Sequence, residues 1–145
     1  MNNFMRSLYS KVATHLAERP VEVRWQLPEQ DLGPGGGKVT GVCGREGNKA
    51  IIEVAPDLPE EEQYDVFLHE LAHARLHADK VYDALTEQRP DFSAPVLQPL
   101  RKAVYDEREA EANLQKAVWA IYAKQHAGGS GGRVLRLLAL LDMEQ

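Results

Sequence analysis

The residues best suited to chemistry in this chain are His69-Glu70-Leu71-Ala72-His73. Histidines at i and i+4 of a helix stand one turn apart on one face, so both imidazoles can reach a single zinc ion at about 2.0–2.1 Å. The intervening Glu70 projects beside them. From there it can take a proton from water that the metal has acidified, as in metal-assisted peptide hydrolysis. With 5 His and 14 Glu in 145 residues, a shuffled chain would show this pattern only about 1–2% of the time. Incidental histidines on an amphipathic helix are therefore the weaker explanation.

Two histidines leave a zinc site short of one protein ligand. His77 lies on the same helix, but eight residues from His69, about 12 Å of helix rise, which no single ion bridges; a structural or orienting role suits it better. The acidic run Asp106-Glu107-Arg108-Glu109-Ala110-Glu111 offers carboxylates instead. Leu100, Ala103, Val104, Ala110, Leu114, Ala117, Val118 and Ile121 recur at helical spacing and define an expected buried stripe. Glu107 falls near its middle, and a carboxylate on an apolar face is costly unless paired or metal-bound. The expected ligand set is therefore His69, His73 and Glu107. Glu111 is expected as a partner to one histidine or as the alternate ligand, and Glu109 is expected to point away, beside Lys102 and Lys116.

The elements that must position these groups can be read from periodicity. Phe4, Leu8, Val12 and Leu16 predict an N-terminal helix within residues 1–19, stopped before Pro20. In 20–56 a small sheet is expected. Val21 to Trp25 alternates with period two, and Val39 to Cys43 and Ala50 to Val54 flank Gly44-Arg45-Glu46-Gly47-Asn48 as a hairpin. Gly33-Pro34-Gly35-Gly36-Gly37 reads as a loop tip. Asp57 as cap, Pro59 and Glu60 to Glu62 open the helix of 57–79 that carries the histidines. Three prolines between Arg89 and Pro99 predict a loop or broken helix. A long helix of 99–123 and a short one of 133–142 follow, separated by Gly128-Gly129-Ser130-Gly131-Gly132.

Bulk properties narrow the class. One domain suits 145 residues, and 43% hydrophobic residues suffice for a core. Cys43 is the single cysteine, which excludes an internal disulfide and suits the cytoplasm. Residues Met1 to Pro20 carry charges at intervals that leave no apolar signal-peptide core. No run approaches the roughly 20 apolar residues of a membrane span. A net charge of −5 disfavours nucleic acid as the main partner.

His69 to His77 reads His-Glu-Leu-Ala-His-Ala-Arg-Leu-His and resembles the ImmA/IrrE-like metallopeptidases, with Glu107-Arg108-Glu109-Ala110-Glu111 similar to their later Glu-x-Glu-Ala segment. The register Glu109-Ala110-Glu111-Ala112-Asn113 also resembles that pattern. The likeness covers roughly Ala50 to Ile121. It implies a zincin-like α+β domain of the gluzincin type, with a small antiparallel or mixed sheet, two histidine ligands from the first motif and a glutamate from the second helix. The expected function is a zinc-dependent endopeptidase with one Zn2+ per chain and Glu70 as general base. The expected substrate is a cytoplasmic protein or peptide, a transcriptional repressor being one candidate. A zinc-stabilised regulatory or adaptor domain that binds without cutting is the alternative; it would have no use for Glu70. The hairpin strands Val39–Cys43 and Ala50–Val54 are both candidates for an edge to which an extended substrate adds. Tyr64, Tyr105, Arg75 and His126 are candidate stabilisers of an oxyanion.

Overall fold

The computed structural model describes residues 1–28, 39–77, 98–128 and 132–143. Helix α1 (Asn3–Ala17) begins where the Asn2 side chain accepts a hydrogen bond from the Met5 amide at 2.9 Å, an ordinary N-cap. It ends at Glu18, which takes a left-handed φ of 57°. Its buried face is Met5, Leu8, Tyr9, Val12, Ala13 and Leu16, whereas Phe4, expected in that face, is exposed. Tyr9 is the anchor. Its ring meets Trp25 and Phe67 edge-on, at centroid distances of 4.8 and 4.7 Å, a favoured aromatic geometry.

Three strands form one mixed sheet in the order β1-β3-β2: β1 (Val21–Trp25), β2 (Gly41–Glu46) and β3 (Lys49–Val54). β1 pairs parallel with β3, with Val21 opposite Ala50, and β2 pairs antiparallel with it, with Gly41 opposite Val54. The central position of β3 explains its apolar sequence, since Ala50, Ile52 and Val54 are fully buried. Of the two strands expected as a possible substrate edge, Ala50–Val54 is thus interior, and the edge of the hairpin is β2. The hairpin is also tighter than expected. Arg45 and Glu46 remain in register with Ala50 and Lys49, leaving a two-residue turn. Its first residue, Gly47, has a φ of 61°, a conformation that favours glycine there.

Helix α2 (Glu60–Leu76) starts after Pro59, with no side-chain cap; Asp57 lies outside it, contrary to the expected cap. Glu60, Glu61 and Glu62 fill the first turn, where carboxylates complement the helix dipole. Tyr64, Phe67, Leu68, Leu71, Ala72 and Ala74 are its buried apolar residues. Its far end is tied to α1 by Arg75, which donates to the Leu16 carbonyl at 2.9 Å.

Helix α3 (Gln98–His126) and helix α4 (Arg133–Leu141) complete the described fold. α4 buries Leu137 and Leu140 and pairs Arg133 with Glu60 at 3.0 Å and Arg136 with Glu61 at 2.5 Å. α3 departs from expectation. Its buried residues are Ala112, Trp119 and Ala123, while Leu100, Leu114, Val118 and Ile121 are 50, 69, 47 and 58% exposed. The helix is therefore rotated relative to the expected stripe. That rotation packs Trp119 fully into the core shared with the other helices.

The architecture is α+β with a small mixed sheet, as expected. The Gly33–Gly37 loop, the proline-rich stretch up to residue 97 and residues 129–131 of the glycine tract lie outside the described residues. Among the described residues, no helix is long and apolar enough to cross a membrane.

Candidate metal centre

His69 and His73 extend from the same face of α2, with ring centroids 4.9 Å apart. Both sit at the contact with α3, and α3 places a carboxylate between them. Glu109 accepts from Nε2 of His69 at 2.9 Å through one oxygen and from Nε2 of His73 at 2.8 Å through the other. Ligand atoms of these three residues all lie within 4.8 Å of one another, and they form a group able to hold a metal ion. Two neutral imidazoles and a carboxylate are a fitting donor set for zinc, with a fourth position left for water or substrate. A cation there would replace the protons now shared across the N···O contacts, so binding would release protons.

In place of the expected set of His69, His73 and Glu107, the structure brings together His69, His73 and Glu109. Glu107 is exposed on α3, and the carboxylate at the histidines is Glu109. The two are two residues apart, about 200° around a helix, so the rotation that buries Trp119 turns Glu107 out and Glu109 in. Lys116 follows Glu109 onto the α2 side and pairs with Asp65 at 3.2 Å. The overlooked signal was the aromatic and alanine pattern Tyr105, Ala112, Trp119 and Ala123, a second apolar face on the same helix.

The electrostatics fit the geometry. The hydrogen bonds from His69 and then His73 hold the Glu109 carboxyl down at about 2. The same contact raises His69, against partial desolvation. Glu70 sits beside this group, and desolvation pushes its carboxyl above the ordinary range; Glu109 pushes it the same way, while His69 and His73 pull it down. A carboxyl group that binds its proton more tightly than usual is better suited to accept and return one near neutral pH.

His77, just beyond α2, is buried and touches the site. Its Nδ1 lies 2.8 Å from Nδ1 of His73, so one of the two must donate. If Nε2 of His73 is to offer a lone pair to a metal, its proton belongs on Nδ1, and His77 Nδ1 accepts. The remaining proton of His77 then sits on Nε2, which faces Glu111 at 3.8 Å. With a metal on His73 Nε2, His77 would hold His73 in that tautomer, the orienting role that ligand histidines commonly require. Glu111 approaches His77, not one of the two ligands.

Two further residues close the surroundings. At Gly41, the first residue of β2, a Cβ would stand 2.4 Å from Val66 Cγ1 and 3.1 Å from Glu70 Cγ. Glycine there lets the edge strand press against α2 beside Glu70. Of the four candidate oxyanion stabilisers, Tyr105 is the one the site's charges reach. Its hydroxyl is raised by desolvation and then by Glu109 and Glu70. Arg75 is engaged with Leu16 and Glu18, Tyr64 lies under Arg136, and His126 bonds the Tyr122 carbonyl. Comparison with models of known protein families, with curated proteins and with solved structures finds no match.

Proposed function

We propose that this chain is a zinc-dependent endopeptidase with a zincin-like site, acting on a protein or peptide in the cytoplasm. The observation that carries the reading is the convergence of His69, His73 and Glu109 with Glu70 alongside. The resemblance of His69–His77 to the ImmA/IrrE-like metallopeptidases points the same way and makes a transcriptional repressor a candidate substrate. A bound Zn2+ would supply Lewis acidity toward a carbonyl and acidify a water. The remaining steps fall to the chain. Glu70 accepts the water's proton as the oxygen attacks the scissile carbonyl carbon, then delivers it to the departing amide nitrogen. Tyr105, whose hydroxyl feels the charges of Glu109 and Glu70, is the candidate donor to the developing oxyanion. An extended substrate adds to the edge strand β2, which Gly41 allows to press against Glu70, so main-chain pairing would deliver the scissile bond to the base.

Glu70 also separates this reading from a zinc-stabilised adaptor, in which a desolvated carboxylate beside the metal would be a burden without a use. The test pairs two measurements. Purified protein should contain about one zinc per chain, and Glu70→Gln should retain it while hydrolysis of a captured substrate falls by about 10²–10⁴-fold. Full stoichiometry in His73→Ala would refute the site. Unchanged cleavage by Glu70→Gln would refute the mechanism.

A further inference from the structure

Helix α3 carries a second pattern, on the side opposite its core face. Leu100, Glu107, Leu114 and Ile121 recur every seven residues, and Ala103, Ala110, Ala117 and Lys124 recur between them at alternating steps of three and four. That is the a/d seam of a coiled coil. Every one of these eight positions is exposed, and the residues halfway round the helix, Ala112 and Trp119, are buried. A bare aliphatic seam of this kind is unusual on a surface helix and marks an interaction face.

The charges within the seam identify the occupant. In a parallel pair of such helices each position faces itself, so Glu107 would meet Glu107 and Lys124 would meet Lys124. In an antiparallel pair, a positions face d positions. One register pairs the six positions from Glu107 to Lys124: Leu114 faces Ala117, Ile121 faces Ala110, and Glu107 faces Lys124, each twice by symmetry, with Leu100 and Ala103 beyond the overlap. Sliding by one heptad sets Glu107 against Ala117 and Lys124 against Leu100, which strands both charges. The alanines opposite Leu114 and Ile121 allow the axes to approach toward the short end of the usual 8–10 Å.

We propose that α3 is a self-association surface: two copies of this chain pair antiparallel along the Glu107–Lys124 seam, about a two-fold axis between residues 115 and 116. One helix pair is small beside specific interfaces of about 1,200–2,000 Å², so the dimer is reversible and concentration-dependent. The candidate metal centre is built on the α2-facing side of the helix and stays outside the interface.

Sedimentation equilibrium on the full chain, from about 1 µM to about 1 mM, tests this. The mass should rise from 16.2 kDa toward twice that value. Leu114→Glu, an exposed position whose change leaves the fold intact by circular dichroism, should weaken association at least about 100-fold. Glu107→Lys alone and Lys124→Glu alone should each weaken it roughly tenfold, through two like-charge contacts per dimer. The double variant should recover it. A mass of 16.2 kDa at every concentration overturns the proposal, whether the seam is then covered by the chain itself or by another protein. Dimerisation insensitive to Leu114→Glu also overturns it, as does insensitivity to the single charge reversals, because a parallel pair would not feel them.

Discussion

Helices α2 and α3 meet at the candidate metal centre, yet they carry their information differently. α2 holds His69, Glu70 and His73 within five consecutive residues, so any helix through this segment presents them together. α3 contributes one carboxylate out of Asp106, Glu107, Glu109 and Glu111, and its rotation decides which. In that rotation Trp119 packs into the core, ten residues from Glu109. Chemistry written locally survives any packing; chemistry written across a helix interface depends on the whole core.

The comparison is most sharply tested at the metal. His69→Ala and Glu109→Ala should each abolish stoichiometric zinc binding, whereas Glu107→Ala should leave it intact, all measured by metal analysis after dialysis against a weak chelator. Loss of zinc in Glu107→Ala with retention in Glu109→Ala would mean that α3 is turned the other way.

The rotation can also be tested without metal. Trp119→Ala should destabilise the fold by about 3–5 kcal/mol, read by urea denaturation at low protein concentration. Leu114→Ala, on the exposed face, should stay within about 0.5 kcal/mol. Equal effects would contradict the assignment of the two faces.

A smaller effect is expected at His77, just beyond α2. His77→Phe removes the acceptor for His73 Nδ1 while keeping bulk, and should weaken zinc affinity about 10–100-fold. His77→Asn retains an acceptor and should recover part of that loss. If both variants bind zinc as tightly as the native chain, His77 is only a packing residue.

The smallest effect joins the two helices in chelated protein. Glu109 falls from 4.5 to about 2 on folding, so its contribution is present above 4.5 and is lost as pH falls through about 2. His69 is raised from 6.5, so its contribution is present below 6.5 and is lost as pH rises through its elevated value. The stability difference between native chain and Glu109→Gln should therefore peak between pH 4.5 and 6.5. Partial exposure of the pair limits it to about 1 kcal/mol or less. Thermal melts across that range would show it, and a difference that grew steadily toward pH 9 would contradict the pairing.

The sequence by itself determined which segment could bind metal, because an i, i+4 pair of histidines with an adjoining glutamate is geometry that a single helix guarantees. It also determined the strands and the helix count of the described regions, since alternation and 3.6-residue periodicity are local signals. Only the tertiary structure decided the rest. It put β3 in the centre of the sheet, which among the described residues leaves β2 at the edge, because strand order depends on pairing between distant segments. And it chose Glu109 over Glu107, because α3 has two apolar faces and periodicity cannot rank them. What ranked them was the partner surface on α2 and the burial of one tryptophan, quantities that exist only once the chain has folded.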